Sequence, residues 1–437
     1  MERDRIAMSQ RELSRFRVIA LAHDGHILVK EAARQMGLSP RQASRLLARY
    51  QSLGAQGLIH GNRGRPPHNK LPATLGQQIV ELAGNTYAGL NDCHLQEVLA
   101  EREGIRIGRE TLRSLLREAG VKPKRRRRPS KHRSRRERSP AKGLMVIWDG
   151  SPHHWFGQKG PSCTLMAALD DADSELIATF FTPHETSAAY LRLLRGILRK
   201  RGIPASIYQD KHSALKRNDP HWSLEEQLSG EQTPTQVGQA LKELGIQPIF
   251  AHSPQAKGRI ERLFGTLQDR LVAELRLAGI TDVETANRYL NRHWIRRFNR
   301  RFRKQAAVNT SCYRSAGGLD LNRILAFRYA ATVANDNTVQ LGGLVIQIPP
   351  GPGGLGYAKA RVEVRQHLDG SWSVYHRDKL IARAAATPLK EPLRSRRYRR
   401  DNLAKGAHEV VVLYPTSPDL KPEDIFPRQL RGHIASA

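Results

Sequence analysis

The chain has 437 residues, of which 72 are Lys or Arg and 41 are Asp or Glu, so its formal net charge is +31. This length predicts about three domains, and the positive charge predicts a polyanionic partner. The longest apolar runs are far shorter than the ~20 residues of a membrane span. The N-terminal residues form no signal-peptide core. The three cysteines are widely separated, which argues against a disulfide scaffold and a cysteine-rich zinc site. We expect a cytoplasmic protein with no membrane partner and no small-molecule cofactor.

The N-terminal segment predicts a helix-turn-helix. Apolar residues recur at helical spacing over 29–36, and Gly37 follows as a turn. Ser39 and Gln42 form a capping box, with Pro40 at the first helical position. Two short helices joined by a glycine turn either read DNA in the major groove or form an ordinary helical hairpin with a solvated basic face. The side chains predicted to contact bases are Arg41, Gln42, Ser44 and Arg45.

A second pair of helices is predicted over 90–119, with glycines between them. It would present Arg109 and Arg113 to DNA, although any small helical bundle has a similar pattern. The following segment, 122–142, is dense in Lys and Arg and contains one acid, Glu137. Such a segment cannot form a packed core, so we predict a tether that contacts phosphates.

From Gly143 onward the pattern changes to strands. Three buried runs form an antiparallel meander and then alternate with helices, an order that predicts a mixed α/β sheet. Short strand-like runs separated by Gly and Pro over 330–386 predict a small β-barrel. The predicted fold is therefore multidomain, with N-terminal all-α helix-turn-helix units, a central α/β domain and a C-terminal small β-barrel. The predicted boundaries are 1–60 (helix-turn-helix domain), 61–121 (second helical DNA-binding domain), 122–142 (basic linker), 143–280 (α/β catalytic domain), 281–329 (basic helical extension), 330–386 (barrel) and 387–437 (basic tail).

Three carboxylates are placed where a metal site would need them. Asp149 follows the first predicted strand, Asp210 follows the fourth, and Glu261 lies early on a long helix predicted over 255–277. Ligands usually bind at the carboxyl ends of strands in an open sheet. If the first and fourth strands are neighbours and the helix crosses them, the three carboxylates converge. Such a site suits Mg²⁺ and in-line phosphoryl transfer with two metal ions.

Each of these carboxylates also has an ordinary structural interpretation. An isolated Asp after a strand is usually a turn or cap residue, and an isolated Glu on a helix is usually solvated. The same interpretation applies to Asp170, Asp171 and Asp173, which are predicted to form a hairpin turn.

The segment 250–264, Phe-Ala-His-Ser-Pro-Gln-Ala-Lys-Gly-Arg-Ile-Glu-Arg-Leu-Phe, resembles the third-carboxylate motif of the integrase-type DDE transposases. It is most similar to those of bacterial insertion sequences of the ISNCY type. The resemblance extends to the helix-turn-helix, to 148–150, to 209–210 and to the basic stretch 294–302, and so covers most of 25–305.

This resemblance implies an RNase H-like catalytic core. It implies that Asp149, Asp210 and Glu261 are the catalytic and metal-binding residues, with Mg²⁺ as the cofactor and Mn²⁺ as a substitute. It also implies that Lys257, one turn before Glu261, points toward bound DNA.

The function implied is that of a transposase, which binds the terminal inverted repeats of its element, cleaves the 3′ ends and joins them to target DNA. Its partners would be transposon-end DNA, target DNA and further copies of itself, in a nucleoid-associated location in a bacterium. The alternatives are a catalytically inactive DNA-binding regulator and an RNase H-like nuclease.

The chain departs from the family pattern in two places. The spacing from Asp210 to Glu261 is longer than in retroviral-type integrases, so an insertion must loop out and Asp219 becomes an alternative to Asp210. The front of the chain also has no His-His-Cys-Cys zinc module. The pair His153–His154 either contacts DNA or the active site, or belongs to a surface loop.

Overall fold

The structure is a computed structural model that describes residues 6–64, 70–125, 129, 136–157, 160–217, 222–251, 258–341, 344–386 and 411–413. The chain divides into two compact units, 1–86 and 87–437. Within the described ranges, no helix combines the length and the apolar character needed to cross a membrane.

The first unit is helical, and its central turn forms as predicted. Gly37 has a φ of +63°, which lets the chain reverse between the two short helices. Ser39 Oγ accepts from the Gln42 N–H at 3.3 Å, and Gln42 Oε1 accepts from the Ser39 N–H at 3.2 Å. The predicted capping box is confirmed, and it fixes where the second of these helices begins. The helices of this unit are α1 (Gln10–His23), α2 (Val29–Gln35), α3 (Pro40–Leu53) and α4 (Ala73–Gly84).

The second unit contains a five-stranded mixed sheet in the order β3-β2-β1-β4-β5. The first three strands are antiparallel neighbours, while β4 runs parallel to β1 and β5 parallel to β4. An antiparallel meander followed by parallel strands is the order that the sequence predicts, so the predicted mixed sheet is confirmed. The strands are β1 (Met145–His153), β2 (Cys163–Asp170), β3 (Leu176–Thr182), β4 (Ser206–Gln209) and β5 (Gln247–Phe250).

Helices cover both faces of this sheet because alternate strand residues are apolar on both sides. Val146 and Trp148 of β1 pack into one buried cluster with α7 and α9. Ile147 packs into a second cluster with α10, α11 and α12. Burial on both faces fixes the strand register, because a slip of one residue would exchange the two faces. The helices are α7 (Ser187–Lys200), α8 (Leu224–Ser229), α9 (Gln236–Glu243), α10 (Gly258–Leu277), α11 (Val283–Tyr289) and α12 (Ile295–Phe302).

The second helical pair, α5 (Asp92–Arg102) and α6 (Arg109–Glu118), belongs to the same unit as the sheet. The buried ring of His94 on α5 places Nε2 2.8 Å from Oε1 of Glu274, which is buried on α10. Glu97 accepts from Arg270 on α10 at 2.6 Å and also pairs with Arg301 on α12. Ion pairs therefore connect α5 to two helices that follow the sheet.

The C-terminal part of the second unit forms two open sheets around one apolar core. The small barrel was predicted from the density of short strands, but no closed barrel forms among the described residues. The strand β6 pairs with β9 and not with β7 or β8, so the strands divide into a four-stranded and a three-stranded sheet. After α13 (Leu321–Ile324), these strands are β6 (Phe327–Thr332), β7 (Thr338–Leu341), β8 (Leu344–Gln347), β9 (Arg361–Gln366), β10 (Trp372–His376), β11 (Lys379–Ala384) and β12 (Val411–Leu413).

Candidate active site

The ladder between β1 and β4 brings the first two predicted carboxylates together. Ile147 of β1 pairs with Tyr208 of β4, and this register continued by two residues places Asp149 beside Asp210. The sequence predicts Asp149 at the carboxyl end of its strand. This prediction is wrong, because β1 continues to His153 through its pairing with β2. Asp149 does lie beyond the last residue of β1 that pairs with β4.

Strand alternation indicates which face of the sheet these carboxylates occupy. Ile147 and Tyr208, two residues before Asp149 and Asp210 respectively, both belong to the apolar cluster that includes α10. Because side chains two residues apart on a strand share a face, both aspartates are expected on the α10 side. Both are half-buried, so their carboxylates are close to solvent as well as to the sheet.

The third predicted carboxylate, Glu261, lies in the first turn of α10 and is exposed. Gln268, two turns further along the same face of α10, donates from Nε2 to Ser151 Oγ of β1 at 3.2 Å. Ser151 shares its strand face with Asp149. The face of α10 that carries Glu261 therefore lies toward the strand that carries Asp149. In the described part of the chain, however, no three His, Cys, Asp or Glu side chains are gathered closely enough to hold a metal ion.

Short-range contacts fix the loop that carries Asp210. Its Oδ1 accepts from the His212 N–H at 3.0 Å, so this carboxylate also has the turn-capping role that was the ordinary interpretation. One residue earlier, Gln209 Oε1 accepts from Trp148 Nε1 at 3.1 Å, which ties the ends of the two strands together. The alternative residue, Asp219, lies outside the described residues.

A further carboxylate, Glu185, lies beside this site. The sequence pattern did not predict it as a site residue. The Tyr190 hydroxyl donates to Glu185, and a Cβ added at Gly150 would lie 2.5 Å from Glu185 Oε2. The pKa of Tyr190 is raised, first by burial, then by Glu185 and more weakly by the charges of Asp149 and Asp210. The only sequence signal was the glycine next to Asp149, which leaves room for this side chain.

The turn aspartates between β2 and β3 are buried, and two of them, Asp171 and Asp173, bind cationic side chains. Asp171 accepts from Arg136 at 2.7 Å and from the Ser139 N–H at 2.8 Å, and it also binds Arg259. Burial raises the pKa of Asp171, but these hydrogen bonds outweigh burial and hold its pKa below the usual range. Arg259 is two residues before Glu261, so this contact fixes the start of α10.

The predicted base-contacting residues of α3 are all exposed. The Gln42 side chain takes part in the capping box, and Ser44 Oγ donates to the Pro40 carbonyl at 3.0 Å. Because those two side chains already bond within their own helix, Arg41 and Arg45 are the better placed of the four to reach a ligand.

On α6, Arg109 and Arg113 are exposed, and both bind Glu110, at 3.3 and 2.9 Å respectively. Lys257 lies outside the described residues. His153 ends β1 and is half-buried, and its pKa is lowered, first by burial and then by the charge of His154.

The first unit contains a helix-turn-helix, and the second contains a mixed five-stranded sheet. Residues 15–74 match the family described as a winged helix-turn helix. The chain is 38% identical over 297 residues to a putative transposase, y4bF, of Sinorhizobium fredii (strain NBRC 101917 / NGR234), covering 68% of this chain and 63% of that protein. It is 31% identical over 325 residues to the transposase for insertion sequence IS1202 of Streptococcus pneumoniae, covering 67% of this chain and 68% of that protein. The chain belongs to the family of insertion-sequence transposases.

The match spans less than two thirds of the length of the first of these relatives, 63%. Among solved structures, the chain is similar to one chain of the simian T-cell lymphotropic virus intasome in complex with PP2A regulatory subunit B56 gamma (14% identity, TM-score 0.30, 70% of this chain and 99% of that chain). It is also similar to the HTLV-2 integrase catalytic core domain in complex with magnesium (16% identity, TM-score 0.24, 35% of this chain and 89% of that chain).

Proposed function

We propose that this protein is a DNA transposase that binds the terminal inverted repeats of its element, cleaves their 3′ ends and transfers those ends to target DNA. The observation that supports the proposal is the register of β1 and β4, in which Ile147 and Tyr208, two residues before Asp149 and Asp210, pair on the face that α10 covers. An inactive regulator would have no chemical use for this arrangement.

The donor set is compatible with a hard divalent cation. Carboxylate oxygens are the ligands that Mg²⁺ prefers, and one or two carboxylates leave positions for substrate phosphate. When bound, two such ions activate the attacking oxygen and stabilise the leaving oxygen of an in-line displacement. Mn²⁺ has the same preference for oxygen ligands and would substitute.

In this proposal each residue has a separate task. Asp149 and Asp210 would hold the cation from neighbouring strands, and the backbone N–H of His212 keeps the Asp210 carboxylate oriented. Glu261 completes the set from α10. The contact from Asp171 to Arg259 holds the start of that helix in place.

DNA binding is assigned to the helical segments. The start of α3 would enter the major groove, where arginines read guanine and phosphate contacts set the position. Its exposed Arg41 and Arg45 are the proposed reading residues, and Arg109, Arg113 and Lys257 are proposed to contact DNA as well. Since two transposon ends must be joined together, we propose a homo-multimer on DNA.

The test is a cleavage and strand-transfer assay on labelled DNA that carries the element's own ends, with Mg²⁺ or Mn²⁺. The wild type is compared with Glu261→Gln and with Glu284→Gln, a control that changes an exposed acid on α11. We expect metal-dependent nicking and joining in the wild type and in the control, and end binding without products in Glu261→Gln. Tight end binding with no metal-dependent product in any of the three proteins would instead indicate a regulator. Metal-dependent nicking without joining would indicate a nuclease.

A further inference from the structure

A groove of about 140 Å³ lies beside the start of α10, outside the carboxylate site. Three arginines line it, Arg138, Arg259 and Arg262, together with the rings of Phe298 and Phe302 from α12. We call these five residues the arginine–phenylalanine groove. None of the described residues that line it is acidic.

The three guanidinium groups are close enough to affect one another. The pKa of Arg138 is lowered, first by burial and then by the charge of Arg259; the charge of Asp171 opposes this shift, and Arg262 adds a smaller lowering. Arg138 donates to neutral oxygens, Ser174 Oγ at 2.7 Å and the Asp171 carbonyl at 3.2 Å. Arg262 donates from Nε to a carbonyl of its own helix at 2.8 Å. Arg259 already binds the buried Asp171, whose charge offsets part of this repulsion, so Arg138 and Arg262 are the arginines that an added anion would pair with.

The aromatic part of the groove, Phe298 and Phe302 of α12, belongs to a short row of rings that also includes Trp294, the residue before α12. The Phe298 and Phe302 rings are 4.6 Å apart, and the Trp294 ring lies 5.0 Å from Phe298 on the other side. Phe302 is half-exposed and lines the groove, and the Arg270 guanidinium lies 5.0 Å from the centroid of its ring. Positive charge next to an accessible aromatic ring is the combination with which proteins bind unpaired nucleotides, through phosphate contacts and base stacking.

The groove and Glu261 lie on opposite flanks of α10. Arg259 and Arg262 are three residues apart and share one side of the helix, whereas Glu261 shares the other side with Gln268. The two sides are separated by the thickness of a helix, ~10–12 Å with side chains. A strand that reaches the carboxylates could therefore place a nearby nucleotide in the groove.

We propose that the arginine–phenylalanine groove binds one unpaired nucleotide of the DNA substrate, with its phosphate on the arginines and its base against Phe302. The proposal rests on the proposed function, in that the substrate is DNA. It does not require that this DNA be cleaved.

The test is photocrosslinking of the full chain to a single-stranded thymidine octamer that carries one 5-iododeoxyuridine, because this probe crosslinks to an aromatic ring on which it stacks. The crosslinked residues are identified by mass spectrometry without added metal. We expect the main crosslink at Phe302 or Phe298. Arg262→Gln should lower its yield about fivefold, the loss of one charged contact to phosphate.

The matched control is Arg192→Gln. Arg192 is also an exposed arginine, and its guanidinium lies 5.0 Å from the ring of Phe180, outside the groove. We expect this variant to crosslink at α12 as the wild type does. Melting temperatures of both variants are measured to exclude a folding defect.

Crosslinks only at aromatic residues outside the groove would overturn the proposal, and so would equal yields at α12 in wild type and Arg262→Gln. The result is independent of catalysis. If the groove crosslinks to the probe but the protein cleaves no DNA, only the transposase proposal is refuted. If the protein cleaves DNA but the groove does not crosslink, only the groove proposal is refuted.

Discussion

The three aspartates of the turn between β2 and β3 carry their carboxylates inside the protein. Asp171 and Asp173 have no exposed surface, and Asp170 has 2%. The sequence predicts the turn, because consecutive aspartates are typical of one. It could not predict the burial, because the arginines that bind Asp171 come from positions 136 and 259 and meet only in the folded chain.

At the residue scale, we expect Asp171→Asn to lower the free energy of unfolding by roughly 3 kcal/mol, since removing one charge of a buried ion pair leaves the other uncompensated. The folded-state pKa of Asp171 is depressed. Its contribution to stability is therefore present above the unfolded pKa, about 3.9, and is lost as the pH falls through the lower folded value. Denaturant unfolding at pH 7 and below pH 4 should show the wild type and variant converging in acid. If the difference in unfolding free energy between the two proteins did not change with pH, it would contradict the assignment of a negative charge to Asp171 in the folded state.

The contact between Gly150 and Glu185 leads to a second prediction at this scale. A methyl at position 150 would displace the Glu185 carboxylate from the Tyr190 hydroxyl. We expect Gly150→Ala and Tyr190→Phe each to lower the free energy of unfolding by about 1–2 kcal/mol. The double variant should lose less than the sum, because both changes remove the same hydrogen bond. Additive losses, measured by urea unfolding, would show that the two side chains are not coupled.

Elements differ in how much of their structure is encoded locally. The start of α3 is encoded by adjacent residues, Ser39 to Gln42, and it forms as predicted. The end of β1 is not encoded locally. The sequence pattern predicted that the strand stops before Asp149, but pairing with β2 extends it to His153. The position of α5 against α10 also depends on contacts between distant residues, such as Glu97 and Arg270.

At the element scale, we expect Glu97→Ala to loosen α5 from the helices that follow the sheet. Glu97 is largely buried and binds both Arg270 and Arg301, so its removal leaves two cations with no carboxylate between them. Hydrogen exchange across α5 should become faster, with a stability loss of roughly 2–4 kcal/mol. The control is Glu101→Ala on the same helix, an exposed partner of Arg297 whose removal should cost about 0–1 kcal/mol. Equal exchange rates in the two variants would contradict the proposed role of Glu97.

For the whole molecule, the sequence predicted the order of the helices and strands better than it predicted whether the C-terminal strands close into a barrel. Helical segments precede a mixed sheet, and further strands follow, in the predicted order. The prediction of a small barrel was wrong among the described residues, because the number of strands alone does not determine which strands pair, and β6 pairs with β9. The candidate site was partly predictable. Asp149 and Asp210 could be proposed from the predicted strand pattern, although β1 extends past Asp149, whereas Glu185 could be found only once the fold brought it to Gly150.

The net charge of +31 leads to a prediction at the same scale. If six to ten phosphates are contacted, affinity for a DNA duplex should fall by roughly 10³–10⁵-fold between 50 and 200 mM salt. Fluorescence anisotropy at a series of salt concentrations measures this slope. Asp149→Asn serves as the control and should show the same slope, since the slope reports contacts between cations and phosphates. A nearly flat salt dependence would argue against a polyanionic partner.

The central claim is that Asp149, Asp210 and Glu261 form one metal-binding site, and Mn²⁺ binding followed by electron paramagnetic resonance tests it most directly. The account predicts that the wild type and the Glu284→Gln control bind Mn²⁺ equally, that Asp149→Asn and Asp210→Asn each abolish binding, and that Glu261→Gln weakens it. Unchanged Mn²⁺ binding in Asp149→Asn or Asp210→Asn would contradict the account, whatever the DNA-binding results.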